Sequence, residues 1–198
     1  MHKFFTDKEN IREDTVIILG DDVKHITNVL RLRKGEKLLV SDGNNNEYIC
    51  NISEMDKKQI VCEIIECFEN KSEAPVKITL YQGLPKAQKM ELIIQKCVEL
   101  GVVAIKPVIT KRVIIKSEDR DISKKIDRWR RISEEASKQS GRGIVPEVSF
   151  PISFKDALDE MRSMDIAVIP YEKENTLGIK RILQSKSNAN SIGILIGP

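Results

Sequence analysis

Several charged residues lie where short apolar runs of the chain end, and they are the residues that could do chemistry. Lys86, Lys111, Arg112 and Glu172 each follow such a run, and Arg142 lies between two glycines. If the apolar runs are parallel strands, the loops that follow them face one side of a sheet, where α/β enzymes bind ligands. Clustered positive charge there predicts an anionic ligand, and a phosphate backbone is one candidate.

The elements that would position these residues alternate between strand and helix from residue 76 onward. Residues 76–82 and 102–108 have the composition of strands, and Gly101 stands where a helix commonly ends in a left-handed residue. Between the two strands an apolar stripe with helical spacing predicts a buried helix face. The stripe consists of Met90, Ile93, Ile94, Cys97 and Val98. Together these segments predict a strand–helix–strand unit of a parallel sheet.

The chain after this unit continues the alternation. A helix is expected over 122–140, with Trp129 on its apolar stripe as a core residue rather than a base-stacking platform. Ser153 and Asp156 resemble a capping box that begins another helix. Two further strands are expected at 166–169 and 192–196.

The first 70 residues have a different pattern. Strand-like runs are separated by a strong turn signal at 42–46 and a moderate one at 55–58, which predicts a small β-barrel. Residues 69–75 are polar and end in proline, so the domain boundary is expected there.

Composition sets further limits. The chain has 198 residues and a formal net charge of +3, with acidic residues in excess before residue 75 and basic residues in excess after it. No apolar run is long enough to cross a bilayer, and the N-terminus lacks the apolar region of a signal peptide. Its four cysteines form no CxxC pair and lie in apolar contexts, which predicts reduced core residues of a cytoplasmic protein. No metal site is predicted.

Common nucleotide and hydrolase motifs are missing from the sequence. It contains no GxGxxG after a strand, no GxxxxGK[ST] and no GxSxG. A standard dinucleotide fold, a P-loop hydrolase and a nucleophile-elbow esterase are therefore unsupported.

Four longer segments are similar to one known family. They read VLRLRKGEKLLVSDG at 29–43, preceded by His25, then KMELIIQKCVELGV at 89–102, EEASKQSGRGIVPEV at 134–148, and LIGP at 195–198. The chain resembles the bacterial 16S ribosomal RNA uridine N3-methyltransferases, of the RsmE type within the SPOUT class of trefoil-knot methyltransferases. The second and third segments at this separation are specific to the family, whereas either alone would be a weak signal.

The resemblance implies a two-domain fold of the β and α/β classes. Residues 1–70 would form a PUA-like β-barrel that binds RNA, residues 71–75 a linker, and residues 76–198 an α/β SPOUT trefoil-knot domain. The family continues past LIGP into further elements of the knot, so we expect the chain to lack these last elements. It also implies a cytoplasmic homodimer, no membrane association, S-adenosyl-L-methionine as methyl donor, and 16S rRNA within the small ribosomal subunit as partner.

The reaction that the resemblance implies suggests roles for the charged residues and loop residues. Arg142, Arg112 and Glu172 would be catalytic. The donor would be bound by two loops, Pro170, Tyr171 and Glu172 in the first and Ile196, Gly197 and Pro198 in the second. RNA would be bound by Arg31, Arg33, Lys86, Lys89, Lys111, Arg112 and Arg142.

Two other functions stay open on the residues alone. If the chain ends at Pro198, a non-catalytic RNA-binding protein is the alternative, because most of the donor site would be missing. A weaker possibility is a small-molecule α/β enzyme that binds an acidic metabolite.

Overall fold

Two β-sheets, each in its own unit, organise the chain in a computed structural model that describes residues 1–86, 89–111, 119–174, 178–186 and 188–198. One unit comprises Met1–Glu73 together with Ser137–Val145, and the other Ala74–Ala136 together with Pro146–Pro198. No pattern in the sequence indicated that residues 137–145 would group with the first unit.

The sheet of the first unit has five strands in the order β1-β3-β4-β5-β2. All neighbours are antiparallel except β1 and β3, which are parallel. The strands are β1 (Lys3–Phe5), β2 (Thr15–Leu19), β3 (Lys37–Ser41), β4 (Asn46–Met55) and β5 (Gln59–Glu69). Between them lie a 3-10 turn (Lys8–Asn10), the short helix α1 (Asp21–Lys24) and a π-helical turn (His25–Val29).

Local sequence explains how this sheet turns and curls. Asp42 accepts hydrogen bonds from the backbone N–H groups of Asn44 and Asn46, at 2.8 and 3.1 Å, and so forms the turn predicted at 42–46. Register shifts between β4 and β5, at Ile49/Cys50 and Ile52/Glu54, bend the strands around an apolar core. That core includes Val16, Ile18, Leu38, Val40, Ile52 and Ile60.

The sheet of the second unit is parallel throughout, as predicted, with strand order β10-β11-β6-β7-β8 and β9 paired to β7. Its strands are β6 (Lys77–Gly83), β7 (Ala104–Ile109), β8 (Glu147–Val148), β9 (Ile152–Ser153), β10 (Ile166–Val168) and β11 (Ser191–Ile196). The helices are α2 (Lys89–Glu99), α3 (Asp119–Ser140), α4 (Phe154–Met161) and α5 (Ile179–Ser185).

Alternation along the strands distributes the helices over both faces of this sheet. Leu80 packs with α2 and α3, whereas its neighbour Tyr81 packs with Met161 of α4. Gly193 of β11 lies under α4, and a β-carbon there would come 3.1 Å from Met161 Cγ and 2.7 Å from Met164 Sδ. The sheet is therefore a central layer between helices, which leaves its strand ends as the accessible edges.

Several local predictions are confirmed. Gly101 has φ of +94° and ends α2, and Trp129 is 8 % exposed in the core. Ser153 accepts a hydrogen bond from the N–H of Asp156 at the start of α4. The prediction of core cysteines is wrong for Cys67, which is exposed because it lies in the outer part of β5 beyond the buried core.

Burial keeps two other thiols protonated. The pKa values of Cys50 and Cys62 rise to about 12, first because both are desolvated inside the barrel core.

Among the helices that the structure describes, none is long and apolar enough to cross a membrane.

A buried tyrosine links the second sheet to α4. Tyr81 is fully buried and donates a 3.1 Å hydrogen bond to Glu160, which also pairs with Lys106 at 2.6 Å. Desolvation, followed by the bond to Glu160, raises the pKa of Tyr81 above its ordinary value of 10.0. In the unfolded chain the phenol ionises at lower pH, so its contribution to stability is complete below pH 10 and falls as the pH rises further.

We predict that Tyr81→Phe lowers the free energy of unfolding by about 1 kcal/mol at pH 8, because one hydrogen bond is lost. The difference from the native protein should shrink above pH 10, since phenylalanine removes the ionisation that weakens the native protein there. Urea unfolding at several pH values measures both quantities. A constant or growing difference would show that ionisation of Tyr81 does not lower the stability of the native protein above pH 10.

Candidate functional site

Four strands of the second sheet end side by side. Val168 pairs with Ile194, Ile196 with Gln82, and Gly83 with Val108, so the carboxyl ends of β10, β11, β6 and β7 lie on one edge. We call this the strand-end edge and define it as residues 83–86, 109–111, 169–172 and 196–198. Open parallel sheets bind their ligands at such an edge, outside the carboxyl ends of the strands.

The ends of β6 and β11 touch closely. A β-carbon on Gly83 would lie 3.0 Å from Pro198 N and 3.1 Å from both Gly197 C and Ile196 O. All three neighbours are backbone atoms, which cannot rotate away as a side chain can. A side chain at position 83 would therefore push the backbone of the loop after β11 from its present course.

Gln82 reinforces this contact. Its side chain is 4 % exposed and donates to the carbonyl oxygens of Gly83 and Gly197, at 2.9 and 3.0 Å. Sequence reasoning missed both Gln82 and Gly83. A polar residue followed by glycine at the end of an otherwise apolar strand was the available signal, because such a glycine often marks a close backbone approach.

Large apolar side chains are exposed on this same edge. Ile169 is 53 % exposed, Tyr171 63 % and Ile196 36 %, and they lie at the carboxyl ends of two neighbouring strands. Exposed apolar clusters are more informative than exposed single residues, since they commonly mark binding sites. They mark this edge as a candidate binding surface.

The predicted charged residues of the second unit are distributed around this apolar cluster. Lys86, Lys111 and Glu172 are exposed residues of loops that follow β6, β7 and β10, and Lys89 is exposed in the first turn of α2. The strands bring these loops to one edge, as predicted. Arg112 lies outside the described residues.

Predicted RNA-binding residues of the first unit lie on a different element. Arg31 has φ of +56° and follows the π-helical turn, and Arg33 is exposed two residues later. The backbone N–H of Arg33 donates to Glu36, which closes a turn and holds this basic segment in an outward loop.

Arg142 is buried, whereas Arg31, Arg33 and the lysines above are exposed. It belongs to the first unit, is 4 % exposed, and forms a bidentate pair with the carboxylate of Glu73. Sequence reasoning missed Glu73, which lies in the polar segment expected to be a linker.

The described part of the chain contains no candidate metal site. There, no group of three or more His, Cys, Asp or Glu side chains could hold a metal ion. The chemistry available at the strand-end edge is therefore that of apolar surface, backbone groups, lysines and one carboxylate, Glu172.

Comparison with known proteins identifies the family to which the chain belongs. A family model described as an RNA methyltransferase domain matches residues 72–198, and one described as an RNA methyltransferase PUA domain matches residues 18–65. Ribosomal RNA small subunit methyltransferase E of Bacillus subtilis is 34 % identical over all of this chain and 80 % of its own length. The chain belongs to this family of RNA methyltransferases.

Two further RsmE proteins extend the comparison. The one from Aquifex aeolicus is 34 % identical over the whole chain and 81 % of its own length. A crystal structure of the Neisseria gonorrhoeae protein bound to S-adenosyl methionine is 31 % identical, with a TM-score of 0.84 over all of this chain and 80 % of that one. The fold is therefore that of a PUA-like domain followed by a SPOUT methyltransferase domain.

We predict that Gly83→Ala weakens the binding of S-adenosylmethionine at least about tenfold, because the new methyl group must displace the backbone of residues 196–198. Calorimetric titration measures the affinity. Gly178→Ala is the control, since a β-carbon at Gly178 meets nothing within 4 Å and its φ is negative. Equal affinities of the two variants would show that the close contact does not shape the donor site.

Proposed function

We propose that this protein transfers a methyl group from S-adenosylmethionine to N3 of one uridine in 16S rRNA of the small ribosomal subunit. The observation that carries the proposal is the match to the RsmE family, which spans both units of the chain. The curated relatives are named for small-subunit ribosomal RNA, and a neighbouring structure is described as bound to S-adenosyl methionine. The uridine and its N3 atom come from the resemblance noted in the sequence.

The donor would be held at the strand-end edge. The residues proposed are Pro170, Tyr171, Glu172, Ile196, Gly197 and Pro198. Their chemistry fits this molecule, since exposed Tyr171 and Ile196 can pack against an adenine ring while loop backbone groups bind its polar edge. When bound, S-adenosylmethionine supplies a methyl group already activated by the positive sulfonium.

The remaining work of the protein is to position the uridine and to help its N3 lose a proton. Glu172 is exposed in the loop after β10, and we propose it as the base. Loss of the N3 proton places negative charge on the neighbouring carbonyl oxygens of uracil. Arg112 and Arg142 are proposed to stabilise that charge, which is larger in the transition state than in the ground state.

RNA would be held by phosphate contacts from both units. In the first unit these contacts come from Arg31 and Arg33, and in the second from Lys86, Lys89, Lys111 and Arg112, with Arg142 added from the 137–145 segment. The proposed domain limits are 1–70 and 76–198, joined by the linker 71–75, except that residues 137–145 group with the first unit. A homodimer that acts in the cytoplasm completes the proposal.

Labelled S-adenosylmethionine and small ribosomal subunits that lack the modification test this function directly. Nuclease digestion and mass spectrometry should find N3-methyluridine at a single position of 16S rRNA. Methylation of another base, or of large-subunit RNA only, would overturn the proposal. Binding of RNA without any methyl transfer would favour the non-catalytic alternative.

We predict that Arg33→Ala weakens RNA binding and lowers the slope of log affinity against log salt by about 1, because one phosphate contact is lost. Filter binding at several salt concentrations measures both effects. Lys57→Ala removes an equally exposed cation from the turn between β4 and β5 and serves as control. If both variants lose the same affinity, the effect is one of net charge and Arg33 makes no specific contact.

A further inference from the structure

The loop after α3 leaves its helix in a defined way. Gly141 has φ of +72°, and its N–H donates to the carbonyl of Lys138 at 3.3 Å. The N–H of Arg142 donates to the carbonyl of Ser137 at 3.0 Å. These two bonds are those of a Schellman motif, in which the glycine reverses the chain and the next residue begins a new direction. The direction in which Arg142 leaves the helix is therefore set by the backbone.

Glu73 then binds both the side chain and the backbone of this loop. Its Oε1 accepts from Arg142 Nε at 3.2 Å, and its Oε2 accepts from Arg142 Nη2 at 2.6 Å. The N–H of Ile144 donates to the same Oε1 at 3.1 Å. The side chains of Arg142 and Glu73 are only 5 % and 11 % exposed. We call Glu73, Arg142 and Ile144 the carboxylate clamp.

A second buried ion pair holds the same loop from another side. Lys3 pairs with Glu47, with side-chain exposures of 6 % and 5 %, and also donates to the carbonyl of Arg142. Asn70 donates to Glu47 and, at 2.9 Å, to the carbonyl of Gly141. Successive carbonyl groups of the loop are thus bound by side chains of the first unit.

The loop also has little room to move. A β-carbon on Gly143 would lie 2.6 Å from Asn70 Cβ and 2.7 Å from Asn45 Oδ1. Ser41 donates to the carbonyl of Gly143 at 3.2 Å, and Asn45 N–H donates to the same oxygen at 3.0 Å. Only glycine fits here without a shift of its neighbours.

Two buried ion pairs are a costly way to attach a loop. Desolvation opposes each pair, and apolar side chains of similar volume commonly hold a fold as well or better. What bidentate pairs provide is one fixed geometry, because a guanidinium and a carboxylate match in only a few orientations. The two pairs therefore hold residues 141–145 in one conformation.

We propose that Glu73 is a positioning residue for methyl transfer, which acts by holding Arg142 and the 141–145 loop in one conformation. This inference rests on the proposed function, in which Arg142 takes part in the reaction. Glu73 itself makes no contact with uridine in this account. Loss of its charge weakens the hold of residue 73 on the guanidinium of Arg142 and on the N–H of Ile144.

The first test is Glu73→Gln in the methyl-transfer assay. We expect kcat to fall about tenfold or more, since small misplacements of catalytic groups have effects of that size. Kd for S-adenosylmethionine should stay within about twofold, because the residues proposed to bind the donor are untouched. Hydrogen exchange of the 141–145 amides should become faster. Unchanged kcat in the variant, with an active native enzyme, would overturn the inference.

Glu160→Gln is the matched control. It makes the same chemical change in a carboxylate that also pairs with a cation, Lys106, but with 40 % of its side chain exposed. Its kcat should stay within about twofold of the native value, because the pair it weakens is partly solvated. An equal loss of kcat in both variants would mean that any lost ion pair slows the enzyme, and the inference would fail.

A double-mutant cycle separates positioning from general weakening. If Glu73 acts through Arg142, the double variant with Glu73→Gln and Arg142→Ala should be no slower than Arg142→Ala alone, within about twofold. If the losses of kcat in the two single variants multiply in the double variant, Glu73 acts independently of Arg142 and the inference is overturned. Should Glu73→Gln fail to fold, Arg142→Lys replaces it, since lysine keeps the charge but cannot bind the carboxylate in two places. Full kcat in that variant would equally overturn the inference, whereas an inactive native enzyme would instead refute the proposed function.

Discussion

The contact between Gly83 and the backbone of residues 196–198 is the constraint on which the candidate site depends. It brings the ends of two parallel strands so close that a β-carbon at position 83 would lie 3.0–3.1 Å from backbone atoms, and Gln82 donates across it to the carbonyl of Gly197. Because β11 lies between β6 and β10 in the sheet, the pairing of β10 with β11 brings the loop after β10 to the same edge. The exposed residues Tyr171 and Ile196 are then displayed on one edge. The donor site that we propose for these two loops would rest on the packing of the sheet beneath it.

In the first unit, polar interactions take the place of close backbone packing. Its attached segment, residues 137–145, is held by ion pairs and buried hydrogen bonds instead of by an apolar stripe. Interactions of this kind give one geometry at some cost in desolvation energy, whereas apolar packing tolerates several arrangements.

Much of the second sheet could be predicted because its signals are local. The stripe from Met90 to Val98, the glycine at 101 and the start of α4 at Ser153 each have a periodic or capping pattern. The grouping of residues 137–145 had no such pattern, because it depends on carboxylates far away in the sequence, Glu47 and Glu73. Gln82 was missed for a similar reason, since its partner Gly197 is 115 residues away. The charged residues at strand ends could be predicted from position alone, but burial of Arg142 could not.

Hydrogen exchange with and without S-adenosylmethionine tests the central claim most directly, because it reports where the donor binds without requiring turnover. The account predicts slower exchange in peptides that cover residues 83–86, 169–174 and 194–198, with little change in the barrel strands β3 to β5. Protection confined to the first unit, or no protection in a folded protein at saturating donor, would contradict the assignment of the strand-end edge as the donor site.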